Sequence, residues 1–144
     1  MAQETDNLLR RWFEEVWNQG RIEAIDELAA PDVVAHGLTD SRGVQVTGRE
    51  VFKEFWRGFR DAFPDVRITV EDDLMAGEKM MVRCSVTGTH HGPGLGVAPT
   101  GKRIEFTGMC MARAKDGQIV EAWNSFDFLS FYQQFGLLPE RLAG

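Results

Sequence analysis

Residues 80–126 read MMVRCSVTGTH, HGPGLGVAPTGK, RIEFTGMCMARAK, DG and QIVEAWNSF in succession, and this run decides the fold. In its first part Val82, Cys84, Val86, Gly88 and His90 share one parity and Arg83, Ser85, Thr87 and Thr89 the other, the pattern of a strand with one wet face. Glycine and proline crowd His91–Gly101, which predicts a long loop. Arg103–Lys115 predicts a second long strand, Asp116-Gly117 a tight hairpin turn and Ile119–Phe126 the last strand. Just upstream, Val66, Ile68 and Val70 alternate with Arg67, Thr69 and Glu71 before Ala76-Gly77-Glu78 turns the chain. The carboxylates Glu71-Asp72-Asp73 read as a solvated strand end, because adjacent strand residues alternate faces and do not converge on one cation.

Outward from this meander the period changes. Leu8, Leu9, Trp12, Phe13, Val16 and Trp17 recur at helical spacing, after Thr5 and Asp6 as candidate N-caps and before Gly20 as a stop. Ile22, Ile25 and Leu28 predict a shorter helix ending before Pro31. Val33–His36 reads as a brief strand and Leu38–Thr47 as a loop. Thr47-Gly48 opens a third helix, with Val51, Phe52, Phe55, Trp56, Phe59 and Phe63 on one broad face and a stop at Phe63-Pro64. A short helix from Phe128 to Phe135 closes at Gly136. Helices first and long antiparallel strands after predict an α+β domain spanning residues 1–144. A sheet of such long strands curls, and helices laid on its concave side leave a cone whose inner wall is a pocket.

Composition narrows the function classes. The chain has 144 residues, 22 acidic against 16 basic, and a net charge of -6. That balance, with no Lys/Arg stripe, argues against a nucleic-acid partner. No stretch approaches the roughly 20 apolar residues of a membrane span, and the start MAQETDNLLRRWFEEVW lacks the basic-then-apolar order of a signal peptide, so a cytoplasmic protein without membrane contact is expected. Cys84 and Cys110 form no CxxC pair and read as buried free thiols rather than zinc ligands. The aromatic set is unusual: ten Phe and four Trp beside one Tyr, enough to fill a core or to line a greasy cavity.

Five segments in order carry a resemblance: RWFEEVWNQGR, then LAAPDVVAHG, AFPDVRITVED, the Gly88-Thr89-His90-His91-Gly92 to Pro99-Thr100-Gly101-Lys102 block, and KDGQIVEAWNSFDFLSFYQQFG. Together they resemble the SnoaL-like polyketide cyclases of the NTF2-like superfamily. The resemblance implies three N-terminal helices on a curved antiparallel sheet, with a homodimer formed through the outer sheet face. It implies ring closure of a hydrophobic polyketide ester by aldol-type proton transfer, with neither metal nor cofactor. Counted from the shared Asp-Gly turn, the resemblance puts the family's catalytic aspartate on Asn124 and its assisting histidine on Cys110. An amide has no basic lone pair at neutral pH, so Asn124 can hydrogen-bond an oxyanion but cannot be the general base.

The family register turns Val120, Ala122, Asn124 and Phe126 of the last strand inward, and with them Ile104, Phe106, Gly108, Cys110 and Ala112 of its neighbour. Asn124 is then either a core amide satisfied by backbone or a group that orients a ligand. His36, at the end of the first strand, is either a loop residue or the missing base. Asp127 is either the N-cap of the last helix or, if a bulge turns it inward, the base. His90 is a candidate pocket residue, with His91 pointing away. Glu121 and Trp123 have outward parity and suit the dimer face. Trp17, Trp56, Phe59, Phe106 and Phe126 are candidates for contact with a small hydrophobic substrate. The expected chemistry is cyclase or isomerase-type proton transfer beside a carbonyl. Epoxide or ester hydrolysis by activated water, and simple binding of an apolar ligand, stand as alternatives.

Overall fold

A computed structural model describes residues 7–40, 42–93 and 98–137. The candidate caps Thr5 and Asp6 fall outside these residues, as does part of the predicted His91–Gly101 loop. Helix α1 (Leu8–Arg11) starts instead at Asn7, whose Oδ1 accepts the Leu9 N–H at 2.9 Å. It runs on as a wider π-helical coil over Trp12–Asn18, in which the Gln19 N–H reaches back five residues to the Glu14 carbonyl. Helix α2 (Ile22–Leu28) passes directly into β1 (Ala29–Thr39), and β2 (Gln45–Thr47) folds back on it. Helix α3 (Arg49–Ala62) follows, then β3 (Arg67–Ala76), β4 (Lys79–Thr89), β5 (Arg103–Lys115), β6 (Gln118–Phe126) and α4 (Phe128–Phe135). No described helix is long and apolar enough to cross a membrane.

The strands form one curved sheet in the order β2-β1-β6-β5-β4-β3. Every neighbouring pair is antiparallel except β1 and β6, which run parallel with Ala35 opposite Ala122 and His36 opposite Trp123. The helices cover its concave face, so the protein is an α+β cone. The Asp116-Gly117 turn has φ of 53° and 78°, the left-handed pair that matches strand twist in a two-residue hairpin. Phe52, Trp56 and Phe59 of α3 are buried, each burial contributing about 1.5–3 kcal/mol.

Three elements depart from the sequence expectation. The brief strand at Val33–His36 is an eleven-residue strand, and the expected loop after it contains β2. Pro31 obscured this: it lies where the β1–β6 register shifts between Ala29 and Val34, one of the few strand positions that tolerate proline. The Glu71-Asp72-Asp73 run is solvated at Glu71 and Asp72 as expected, but it lies inside β3 rather than at its end. The register shifts between Val70 and Asp72, and Asp73 accepts hydrogen bonds from Arg10 at 2.8 Å and Asn7 at 3.3 Å, tying the first helix to the sheet. Val120 does not face inward. A bulge between the pairs Arg113–Glu121 and Ala114–Ile119 puts it with Asp32 and Val34 on the outer side, and Ile119 takes its inward place.

Candidate functional site

The cone holds a partly open cavity of about 80 Å³. The π-helical coil supplies Trp12, Phe13 and Trp17, α3 supplies Phe52, Phe55 and Phe59, and α4 supplies Phe128. The sheet supplies Val33, Ala35 and Leu38 from β1, Phe106 and Cys110 from β5, and Ala122, Asn124 and Phe126 from β6. The rings lock together: Trp17 meets Phe52, Phe55 and Phe59 edge-on at 6.1, 6.4 and 5.7 Å, and Trp12 lies 5.0 Å from Phe52. Gly108 makes room for Phe126, since a Cβ there would lie 2.3 Å from that ring. The space is far below the roughly 300–1,000 Å³ of a typical small-molecule site. A ligand of more than a few heavy atoms must therefore push lining rings aside.

Asn124 brings the one side-chain amide to this wall. Its Nδ2 donates to the His36 main-chain carbonyl at 3.0 Å. Next along β1, Gly37 has φ +86°, and a Cβ there would sit 2.0 Å from the Asn124 carbonyl oxygen, so only glycine lets the two strands approach this closely. One N–H and the Oδ1 of Asn124 have no partner assigned among the described residues, so the amide retains both a donor and an acceptor. Cys110, opposite Asn124 in the ladder, is a neutral thiol: burial pushes its pKa up, and that of Cys84 to about 12. Neither is a ready nucleophile.

The remaining candidates divide. Trp17, Phe59, Phe106 and Phe126 join Asn124 and Cys110 on the cavity wall, whereas His36, Asp127, His90 and Trp56 do not. The His36 ring lies on the outer side of the sheet, with Nε2 2.7 Å from Glu121 Oε2, Nδ1 3.0 Å from Gln45 Oε1, and its face stacked on Trp123 at 5.4 Å. The bond from His36 holds the Glu121 carboxyl below its usual range, and Arg113 adds to the effect. Asp127 is the cap of α4, accepting the Ser130 N–H at 3.0 Å; no bulge turns it inward. His90 is fully buried between Phe63 and Phe135, with Nδ1 taking the Thr100 N–H at 3.2 Å. Burial lowers its pKa, and Nε2 has no hydrogen-bond partner among the described residues. Trp56 belongs to the core, where its Nε1 donates to the Val16 carbonyl at 2.9 Å.

The β1 wall was not anticipated. Val33 and Ala35 alternate as an inward pair should, but Pro31 and Gly37 break the parity on either side. Among the described residues, no carboxylate or imidazole lines the cavity and no cluster of three His, Cys, Asp or Glu side chains can hold a metal ion.

An α+β cone around an apolar cavity, with Asn124 the one amide among the described lining residues, has the NTF2-like architecture. The family model for SnoaL-like polyketide cyclases matches residues 7–135, and the chain belongs to that family. Membership places its general role in cyclase or isomerase-type chemistry. Among solved structures it is similar to IdmH from Streptomyces antibioticus, a protein ascribed to polyketide cyclisation. The two are 34% identical over 90% of this chain and 96% of that one, with a TM-score of 0.76. A SnoaL-like protein from Jannaschia sp. CCS1 is 25% identical over 96% and 94% of the two chains at a TM-score of 0.80. A protein from Bacillus cereus ATCC 10987, also ascribed to polyketide cyclisation, is 30% identical over 91% and 79% at 0.76. No curated protein sequence matches the chain.

Proposed function

We propose that the protein takes a small hydrophobic carbonyl compound of polyketide type into the cone and promotes its cyclisation or isomerisation without a cofactor. The observation that carries this reading is the wall itself: apolar rings and aliphatic groups surround one amide, Asn124. Once the lining rings move apart to admit it, such a wall confines a flexible substrate to a compact, reactive shape, and positioning of this kind removes a large part of a ring-closing barrier. The free N–H of Asn124 meets the oxygen on which charge develops when a carbon beside the carbonyl loses its proton. Asn124 does not take that proton. With the His36 ring and Asp127 directed elsewhere, the acceptor is water at the mouth, which suits a carbon already acidified by two carbonyl groups.

Retention of an apolar ligand without turnover is the second reading, favoured by the lack of a carboxylate or imidazole among the described lining residues. Hydrolysis by activated water is less well supported, because it needs a carboxylate beside Asn124. Incubation with polyketide-like β-keto esters, followed by mass spectrometry, separates these readings. Cyclised or isomerised product from the native protein is expected, with turnover reduced about a hundredfold or more in Asn124→Ala, as for loss of one oxyanion donor. Ligand recovered unchanged from a saturated protein supports retention instead.

The reading includes a homodimer through the outer sheet face. Support comes from a methionine-rich patch there: Met81 and Met109 are 36% and 48% exposed. The register places Met81 opposite Met111, and Met111 opposite Trp123. Exposed apolar patches of this kind mark interaction surfaces. Sedimentation velocity is expected to give a dimer that Met109→Glu converts to monomer.

A further inference from the structure

One residue of β1 reaches both sides of the sheet. The main-chain carbonyl of His36 accepts the cavity amide of Asn124 at 3.0 Å, while its side chain is clamped on the opposite face. The clamp has three parts from two further strands: Glu121 Oε2 at 2.7 Å and the Trp123 ring at 5.4 Å from β6, and Gln45 Oε1 at 3.0 Å from β2. Glu121 is itself held by Arg113 at 3.4 Å. Gln45 and Glu121 thus engage both ring nitrogens.

Local geometry makes the clamp matter. Beyond His36 the β1 backbone leaves its extended path at Gly37, φ +86°. The described β1–β6 pairing ends with His36 opposite Trp123. The carbonyl that Asn124 uses is thus at the last described position of the parallel ladder. We propose that His36 is a positioning residue for Asn124: its ring, fixed by Glu121, Gln45 and Trp123 outside the cone, holds the carbonyl that sets the direction of the amide inside it. Selectivity for a polar group in the cavity is therefore set in part by residues that never touch the ligand. This rests on the reading above that the cavity holds a ligand against Asn124.

The test compares two probes of nearly equal shape, phenol and toluene, whose binding is followed by calorimetry on the purified protein. Asn124→Ala is expected to lower the phenol-to-toluene affinity ratio about three- to tenfold, the equivalent of one neutral hydrogen bond. His36→Ala is expected to lower the ratio by a similar factor while toluene affinity stays within about twofold, and His36→Gln, which retains a donor for Glu121, is expected to keep it. If His36→Ala weakens both probes alike, or leaves the ratio at its native value, the proposal is overturned. Should His36→Ala not fold, Glu121→Ala replaces it with the same expectation.

A ligand-free measurement separates this proposal from the reading beneath it. The side-chain amide proton signals of Asn124 in nitrogen-15 NMR are expected to shift and to exchange faster in His36→Ala. Unchanged signals overturn the positioning role. A native protein that binds neither probe overturns the ligand-site reading, and the amide signals still decide the role of His36.

Discussion

Gly37 has no room for a methyl group. An added Cβ would lie 2.0 Å from the Asn124 carbonyl oxygen, and φ +86° is a conformation that alanine adopts only under strain. Gly37→Ala is therefore expected to cost about 3 kcal/mol or more, read from the urea midpoint. Asn124→Asp would put a carboxyl group at a position facing a carbonyl oxygen and an apolar wall. A carboxylate cannot donate to the His36 carbonyl, whereas the protonated acid can, so the folded state would raise this carboxyl's pKa. Its contribution is then lost as pH rises above the unfolded value near 4. Asn124→Asp should melt close to the native protein at pH 4.5 and be destabilised by about 1–3 kcal/mol at pH 7.5. Asn124 itself was legible through the family resemblance, which aligned the last strand on the Asp-Gly turn. The direction of His36 was not: a histidine before glycine at a strand end carries no local sign of which face it takes, and its partners Glu121 and Trp123 lie some 85 residues away.

Helix α4 shows how a short element is held. Its eight residues begin at the Asp127 cap and end at Gly136 in the left-handed conformation, φ 90°. Gln134 then bonds the Glu105 main chain twice, accepting its N–H and donating to its carbonyl, both at 2.7 Å. This docks Phe128 and Phe131 against Phe106 of β5. Asp127→Ala should lower stability by about 1 kcal/mol in urea melts and Asp127→Asn should recover it, an outcome expected of a cap and not of a base. The strand pattern of β4 and β5 was readable because each alternates without interruption, and α4 because Asp127 and Gly136 mark its ends. Strand β1 was not, because its alternation is broken twice and its hydrogen-bond partners are β2 and the distant β6. The π-helical coil was invisible for a related reason: the apolar spacing of Trp12, Phe13, Val16 and Trp17 suits an α-helix equally well.

Over the whole molecule, buried titratable groups set the pH range of stability. Burial lowers the pKa of His90 in the folded state, so the unfolded chain binds the proton first and stability falls as pH drops below the ordinary histidine value of about 6.5. The paired carboxylates Glu15, Asp73 and Glu121, all held low, add a second loss as pH falls below about 4. On the alkaline side the raised thiols work the other way: Cys84, at about 12, withholds its proton while the unfolded thiol releases it, so stability falls as pH rises past about 8.5. Melting temperatures from pH 3 to 10 should trace both limbs, and His90→Gln should flatten the loss between about pH 6.5 and 5. The aromatic richness also takes its meaning at this scale, since most of the rings pack wall to wall around one small space rather than through a solid interior. Finally, β6 is the last of the described strands in chain order yet lies inside the sheet, inserted between β1 and β5. A nascent chain that has emerged only as far as the Asp116-Gly117 turn therefore holds two unconnected sheet fragments, each with an open edge and exposed rings. The cavity is complete only once β6 is in place, and until then these edges are what a chaperone would have to cover.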